Sequence, residues 1–185
     1  TPPCYPNREV DGREHVNEAA EIMGWFVELF DHLSETRPNL AQAHATIWPE
    51  EDRFFFRKLK LYAYSKKNVF EAGQVANAIL SFDQTAFWDI DVARELLFLL
   101  VDRWAEFSQE SQNRLIDRIL DGPEQLSHWS DEEFPRLRDK FAARYARYLQ
   151  LEGCALATDR SERLASMIRG VPRWNDGWAT STVTE

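Results

Sequence analysis

The feature that most constrains the fold is a run of six consecutive apolar residues, Leu96-Leu97-Phe98-Leu99-Leu100-Val101, set between Arg94-Glu95 and Asp102-Arg103-Trp104. Only Val101 is β-branched, and the charged flanks continue a helical register, so the run predicts a helix over about 91–107 and not a strand. Consecutive apolar positions cover the whole circumference of a helix, so this one must be sandwiched by neighbours on several sides. It falls well short of the ~20 apolar residues of a membrane span.

The neighbours are helical too. From about 14 to 36, Val16, Ala19, Ala20, Met23, Phe26, Val27, Phe30 and Leu33 form one stripe, opposite Glu18, Glu21, Glu28, Asp31 and Glu35. Pro38 ends that helix, and Asn39 caps a short segment that breaks at Trp48-Pro49. Pro49 suits the first position of a helix running to about Lys66, with Glu50, Glu51 and Asp52 in its first turn and Phe55, Phe56, Leu59, Tyr62 and Ala63 inside. Asn68 with Glu71 reads as a capping box, followed by an apolar face of Val75, Ala78, Ile79 and Leu80. Ser108 caps a helix carrying Leu115, Ile116, Ile119 and Leu120, closed by Gly122-Pro123. Ser130 with Glu133 opens a helix over about 131–151, with Phe134, Leu137, Phe141, Tyr145 and Tyr148 inward and Gly153 at its end. Thr158 opens the last predicted helix, which buries Leu164, Met167 and Ile168 and stops at Gly170 and Pro172.

Two faint echoes suggest an internal period. Arg57-Lys58-Leu59-Lys60-Leu61-Tyr62 returns as Glu95-Leu96-Leu97-Phe98-Leu99-Leu100 after 38 residues, and Arg114-Leu115-Ile116 with Gly122-Pro123 returns as Arg163-Leu164-Ala165 with Gly170 and Pro172 after 49. Two helices per period of that length point to an all-α, irregular HEAT- or armadillo-like stack of about seven to eight helices. A single irregular helical bundle is the alternative. Residues 1–11 read as a Pro-rich linker, 12–172 as the helical-repeat domain, and 173–185 as an irregular tail that folds back or leads into a further module. Thr1 in place of Met, and the polar Thr180–Glu185 end, read as cuts from a longer chain.

Motifs that carry chemistry are missing from the sequence. The seven Gly are too scattered for a phosphate-cradling loop, and His15, His32, His44 and His128 have no metal-ligand spacing. There is no Gly-x-Ser-x-Gly elbow. Cys4 and Cys154 form neither a metal motif nor a disulfide framework, which together with the lack of a leader predicts a reducing cytoplasm. A non-catalytic protein without metal or cofactor is the expectation. Glu95, Asp102 and Glu106 fall in one sector of the apolar helix and read as its solvent strip, neutralised by Arg94 and Arg103; a cation or partner site is the other reading.

Three features are candidates for a binding surface. Arg136, Lys140, Arg144 and Arg147 line one side of their helix, and Arg53, Arg57, Lys60 and Lys67 do the same on theirs. Such stripes either meet phosphates or an acidic partner, or lay their stems on the core and pair with the next repeat. A net charge of −9 makes nucleic acid the alternative and a protein partner the main expectation. Trp25 sits opposite the apolar stripe of its helix, either against an adjacent repeat or against a partner or another domain.

The blocks Phe56-Arg57-Lys58-Leu59-Lys60-Leu61-Tyr62-Ala63, Arg94-Glu95-Leu96-Leu97 and Ile116-Asp117-Arg118-Ile119-Leu120-Asp121-Gly122-Pro123 resemble helical segments in the C-terminal half of large bacterial multidomain proteins. The likeness runs from about Phe54 to Trp178 and rests on core-packing and helix-stop residues. It implies a scaffold or ligand-sensing segment downstream of a SIR2-like NAD-consuming domain or a STAND-type NTPase, linked to phage defence. It also implies that any NADase or NTPase activity belongs to another domain, and it carries over no catalytic residue.

Overall fold

The apolar run is helical and enclosed. A computed structural model describes residues 18–49, 52, 55–127 and 129–184. The expected linker over 1–11, Cys4, His15, Val16, Glu50, Glu51, Arg53, Phe54 and His128 lie outside the described residues, as do the side chains of 18–21. Among the described residues the architecture is all-α: α1 (Glu18–Thr36), α2 (Pro38–Thr46), α3 (Phe56–Tyr64), α4 (Ala72–Ser81), α5 (Gln84–Phe87), α6 (Ala93–Arg103) with a 3-10 turn (Trp104–Glu106), α7 (Gln109–Asp121), α8 (Phe134–Leu151), α9 (Thr158–Gly170) and α10 (Gly177–Thr184). No described helix is long and apolar enough to cross a membrane.

Helix α6 is the centre. Leu96, Leu97, Leu99 and Leu100 have no exposed surface, and α3, α8 and α10 pack around it. Two buried polar contacts pin its C-terminal end. Arg103, 1 % exposed, donates from Nη1 to Tyr64 O (2.8 Å) and from Nη2 to Phe70 O (2.9 Å), satisfying one carbonyl at the C-terminal end of α3 and one in the connection to α4. Its Nε lies 3.0 Å from Glu106 Oε2, an ion pair outside hydrogen-bond alignment. Trp104 Nε1 donates to Ala155 O at 3.1 Å.

The sequence echoes coincide with neighbouring helices. α3 and α6, which carry the 38-residue echo, lie side by side, and so do α7 and α9, which carry the 49-residue one. α10 does not extend this order; it returns to pack on α8 and α6.

Several element boundaries differ from the sequence expectation. α3 begins at Phe56 and not at Pro49, because Asp52 sits outside the helix and its Oδ1 accepts from Phe55 N (2.8 Å), making the entry turn there. The capping box before α4 is Glu71 with Gln74; Asn68 instead donates to Ser34 O at 2.6 Å and ties α1 to the α3–α4 connection. Pro38 occupies the first turn of α2, so it both stops α1 and starts its successor. α8 starts at Phe134, after a turn held by Ser130 Oγ, and its buried face is Ala142, Ala143, Tyr145, Ala146, Tyr148 and Leu149. Phe134, Leu137 and Phe141 are only half-buried, as are Met167 and Ile168 of α9. The 173–185 segment is not irregular throughout, since α10 spans most of it. The Ser108 cap and the Gly122 stop are as expected: Ser108 Oγ accepts from Ser111 N (3.1 Å), and Gly122 has φ 74°.

Candidate functional site

Where α3, α6, α8 and α10 meet, the molecule holds a cavity of about 640 Å³. That volume lies within the range of small-molecule sites, roughly 300–1,000 Å³. Its construction begins with Arg118 of α7, which donates to Ile79 O (3.1 Å), Leu80 O (2.7 Å), Phe82 O and Asp83 O (3.2 Å). These carbonyls run from the last turn of α4 to the N-cap of α5, so a single guanidinium finishes one helix and fixes the start of the next. Asp83 Oδ1 then caps α5 by accepting from Ala86 N (2.6 Å), and the chain leaves α5 at Trp88. The turn before α6 thus brings Trp88, Asp89 and Asp91 to the cavity wall.

The wall is aromatic. Trp88 lies against Tyr145 with ring centroids 4.7 Å apart, and Trp129 stacks on Phe141 at 5.8 Å and 19°. Burial, the largest influence, pushes the Tyr145 hydroxyl above its ordinary pKa; Arg144 opposes the shift and Asp89 adds to it, so the group remains a phenol.

Between these rings lies a group of charges. Asp89, 7 % exposed at its side chain, is 3.4 Å from Arg57 Nη1 of α3. Glu95 is fully buried, and its Oε1 accepts from Arg94 Nη2 at 2.8 Å. Lys58, 2 % exposed, also lines the cavity, and its ammonium meets no hydrogen-bond acceptor among the described residues. Four further buried polar atoms in this group lack partners: Gln84 Oε1, Trp88 Nε1, Arg94 Nε and Glu95 Oε2. Buried polar groups are normally paired, so this concentration in one cavity makes it the candidate binding site.

The expectation for Glu95, Asp102 and Glu106 is corrected here. Glu95 is not part of a solvent strip; the first turn of α6 is covered by the cavity wall, and its carboxylate pairs with Arg94 inside it. Asp102 and Glu106 are exposed and do not line the cavity. Arg103 does not neutralise a surface either, because it is buried against the two carbonyls.

Of the basic stripe on α8, Arg136 is exposed, whereas the other three face α10. Lys140 Nζ sits 4.7 Å from the Trp178 ring centroid, and Arg144 Nε donates to Trp178 O (2.9 Å) and Thr182 Oγ1 (3.0 Å). Arg147 forks onto Asp176, with Nε at 3.0 Å from Oδ1 and Nη2 at 2.6 Å from Oδ2. This stripe is the seat of the chain's own C-terminal helix. On α3, Arg57 holds Asp89 and Lys60 is 7 % exposed; Lys67, past the helix, reaches Glu106 at 2.5 Å, and Arg53 lies outside the described residues. Trp25 is 62 % exposed, as are Ile22 and Leu29 of the same helix at 49 % and 70 %, and it lies outside the cavity lining.

Lys58, Trp88, Asp89, Arg94, Trp129 and Tyr145 were not among the sequence candidates. A charged pair in the first turn of an otherwise apolar helix, Arg94-Glu95, was the one available signal. No group of three or more metal-ligating side chains forms among the described residues, and burial pushes the Cys154 thiol up to about 12, with Glu152 adding to the shift. Comparison with known protein families, curated proteins and solved structures finds no match.

Proposed function

We propose that this chain is a non-catalytic, ligand-sensing helical segment of a larger bacterial protein, with a small molecule held in the cavity among α3, α6, α8 and α10. The carrying observation is the cavity itself: aromatic walls, buried charge and unpartnered polar atoms in one place of ligand size. Binding is favoured over turnover because each buried carboxylate is already committed to an arginine, Glu95 to Arg94 and Asp89 to Arg57. The sensing role follows from α10, which supplies Ser181, Thr182 and Val183 to the lining while Arg144 joins it to α8. An occupant touching these residues adds to the contacts that hold α10 down, and a partner domain reading α10 would register the difference. NADase or NTPase work, and any part in phage defence, belongs in this reading to a separate domain.

A screen of ring-bearing fragments, followed through the Trp88 and Trp129 indole N–H resonances, tests the reading. Saturable shifts that disappear when Ser181→Trp fills the cavity are expected. A folded chain that binds no fragment of any charge would refute it.

A further inference from the structure

We infer that the ligand is a monoanionic aromatic carboxylate whose charge is met by Lys58. This rests on the ligand-sensing reading and narrows it to a chemical class. The lining holds seven charged side chains, Asp89, Asp91, Glu95 and Glu124 against Lys58, Arg94 and Arg144. Most of the cations have work already. Arg94 is paired with Glu95, and Arg144 is occupied by the Trp178 carbonyl and the Thr182 hydroxyl. Lys58 is left as a buried cation without a counter-ion among the described residues. An ammonium withdrawn from bulk water is costly until an anion joins it, so the cavity favours a ligand that brings one.

The rest of the lining sets the form of that anion. A dianionic phosphate monoester would bring two charges into a lining that already holds four carboxylates against three cations, whereas a carboxylate brings one. An amine would place a second cation beside Lys58, with Asp89 and Glu95 already paired and Asp91 and Glu124 exposed to solvent. Trp88 Nε1 and Arg94 Nε are additional buried donors lacking acceptors, which suits an oxyanion; Gln84 Oε1 and Glu95 Oε2 can take an uncharged N–H or hydroxyl of the same molecule. The apolar body faces the Trp88–Tyr145 and Trp129–Phe141 ring pairs, flat surfaces that favour a planar ring over an aliphatic chain.

Calorimetric titration of the whole chain with naphthylacetate, its neutral near-isostere naphthylacetamide and the cationic naphthylethylamine separates the possibilities. One charge-assisted hydrogen bond in a buried site corresponds to about a tenfold or greater preference for the acid over the amide. Lys58→Met should abolish that preference, and residual binding of the amide shows that the variant cavity is intact. The acid-to-amide ratio on the unmodified chain reads the charge preference even without the variant. Equal or tighter binding of the amide or amine, or an acid preference that survives in Lys58→Met, overturns the ligand class while the sensing reading stands. No binding of any of the three to the folded chain overturns both.

Discussion

Replacing Lys58 by Met tests the central physical claim without any ligand. Lys58 lies on α3 with 2 % of its surface exposed, so its four-carbon stem is already buried, and Met fills nearly the same space. The substitution therefore leaves apolar burial about unchanged and removes one ammonium. A buried charge without a partner costs several kcal/mol in a dry interior, and exchanging buried ionic groups for apolar ones of similar volume often stabilises by 1–4 kcal/mol. Lys58 borders a cavity and not a close-packed core, so the lower portion applies, about 1–2 kcal/mol of added stability. Urea unfolding followed by tryptophan fluorescence reads this as a higher midpoint at unchanged slope. Lys67→Met is the control: Lys67 is 65 % exposed and pairs with Glu106 at the surface, so its removal shifts stability by less than about 1 kcal/mol, and downward. If Lys58→Met is neutral or destabilising, Lys58 has a counter-ion in the unliganded chain, and the argument that a ligand must supply one fails. A protein that keeps a residue costing it stability does so at functional sites, which is why the sign matters more than the size.

Three further outcomes follow from the packing. Arg103→Met should destabilise by about 2–5 kcal/mol in the same assay, because it strands the buried Tyr64 and Phe70 carbonyls, whereas Glu106→Gln should cost less than about 1 kcal/mol; equal effects would show that the surface pair is the important one. The Arg147 hydrogen bonds, with the Trp174 indole N–H second, hold the Asp176 carboxyl below its ordinary value of 3.8. A depressed carboxylate contributes stability that is full above the unfolded value and is lost as pH falls through the folded one. Hydrogen exchange in α10 should therefore be protected at neutral pH and accelerate only below about pH 4, by a factor corresponding to less than about 1 kcal/mol, since Asp176 is 44 % exposed. Acceleration already near pH 6 would point to another group. Gly122→Ala should cost about 1–3 kcal/mol, since φ 74° with ψ −179° is a glycine conformation and the new Cβ would come within 2.5 Å of Arg138 Cγ; a change under about 0.5 kcal/mol would mean that the turn relaxes freely.

Much of the fold is legible along the chain because the signals are local. Ser108 and Gly122 act through hydrogen bonds and φ values within a few residues, so both ends of α7 could be read from composition and order. The all-round apolar α6 identified itself as central for the same reason. Starts that depend on choosing between nearby polar residues were harder. Asp52, Asn68 and Glu71 can all cap, and which one does was decided by where α1 lies, since Asn68 is engaged by Ser34 O of that helix. α10 was missed because Gly177–Thr184 is rich in Thr and Ser and is helical mainly through its seat on α8 and α6.

What the sequence by itself determined is an all-α chain organised around 96–101, with boundaries set by caps, Gly and Pro, and with no recognisable catalytic or metal motif. What only the tertiary structure decided is the fate of each charge. Lys58 and Lys60 are buried while Arg136 stays in water; Glu95 is inside while Asp102 is outside; Arg144 and Arg147 serve the chain's own last helix. The physical reason is that helix propensity and capping are governed by neighbours in sequence. Desolvation and ion pairing are governed by what lies across a cavity, and α3, α6, α8 and α10 meet there from positions scattered over more than half the chain.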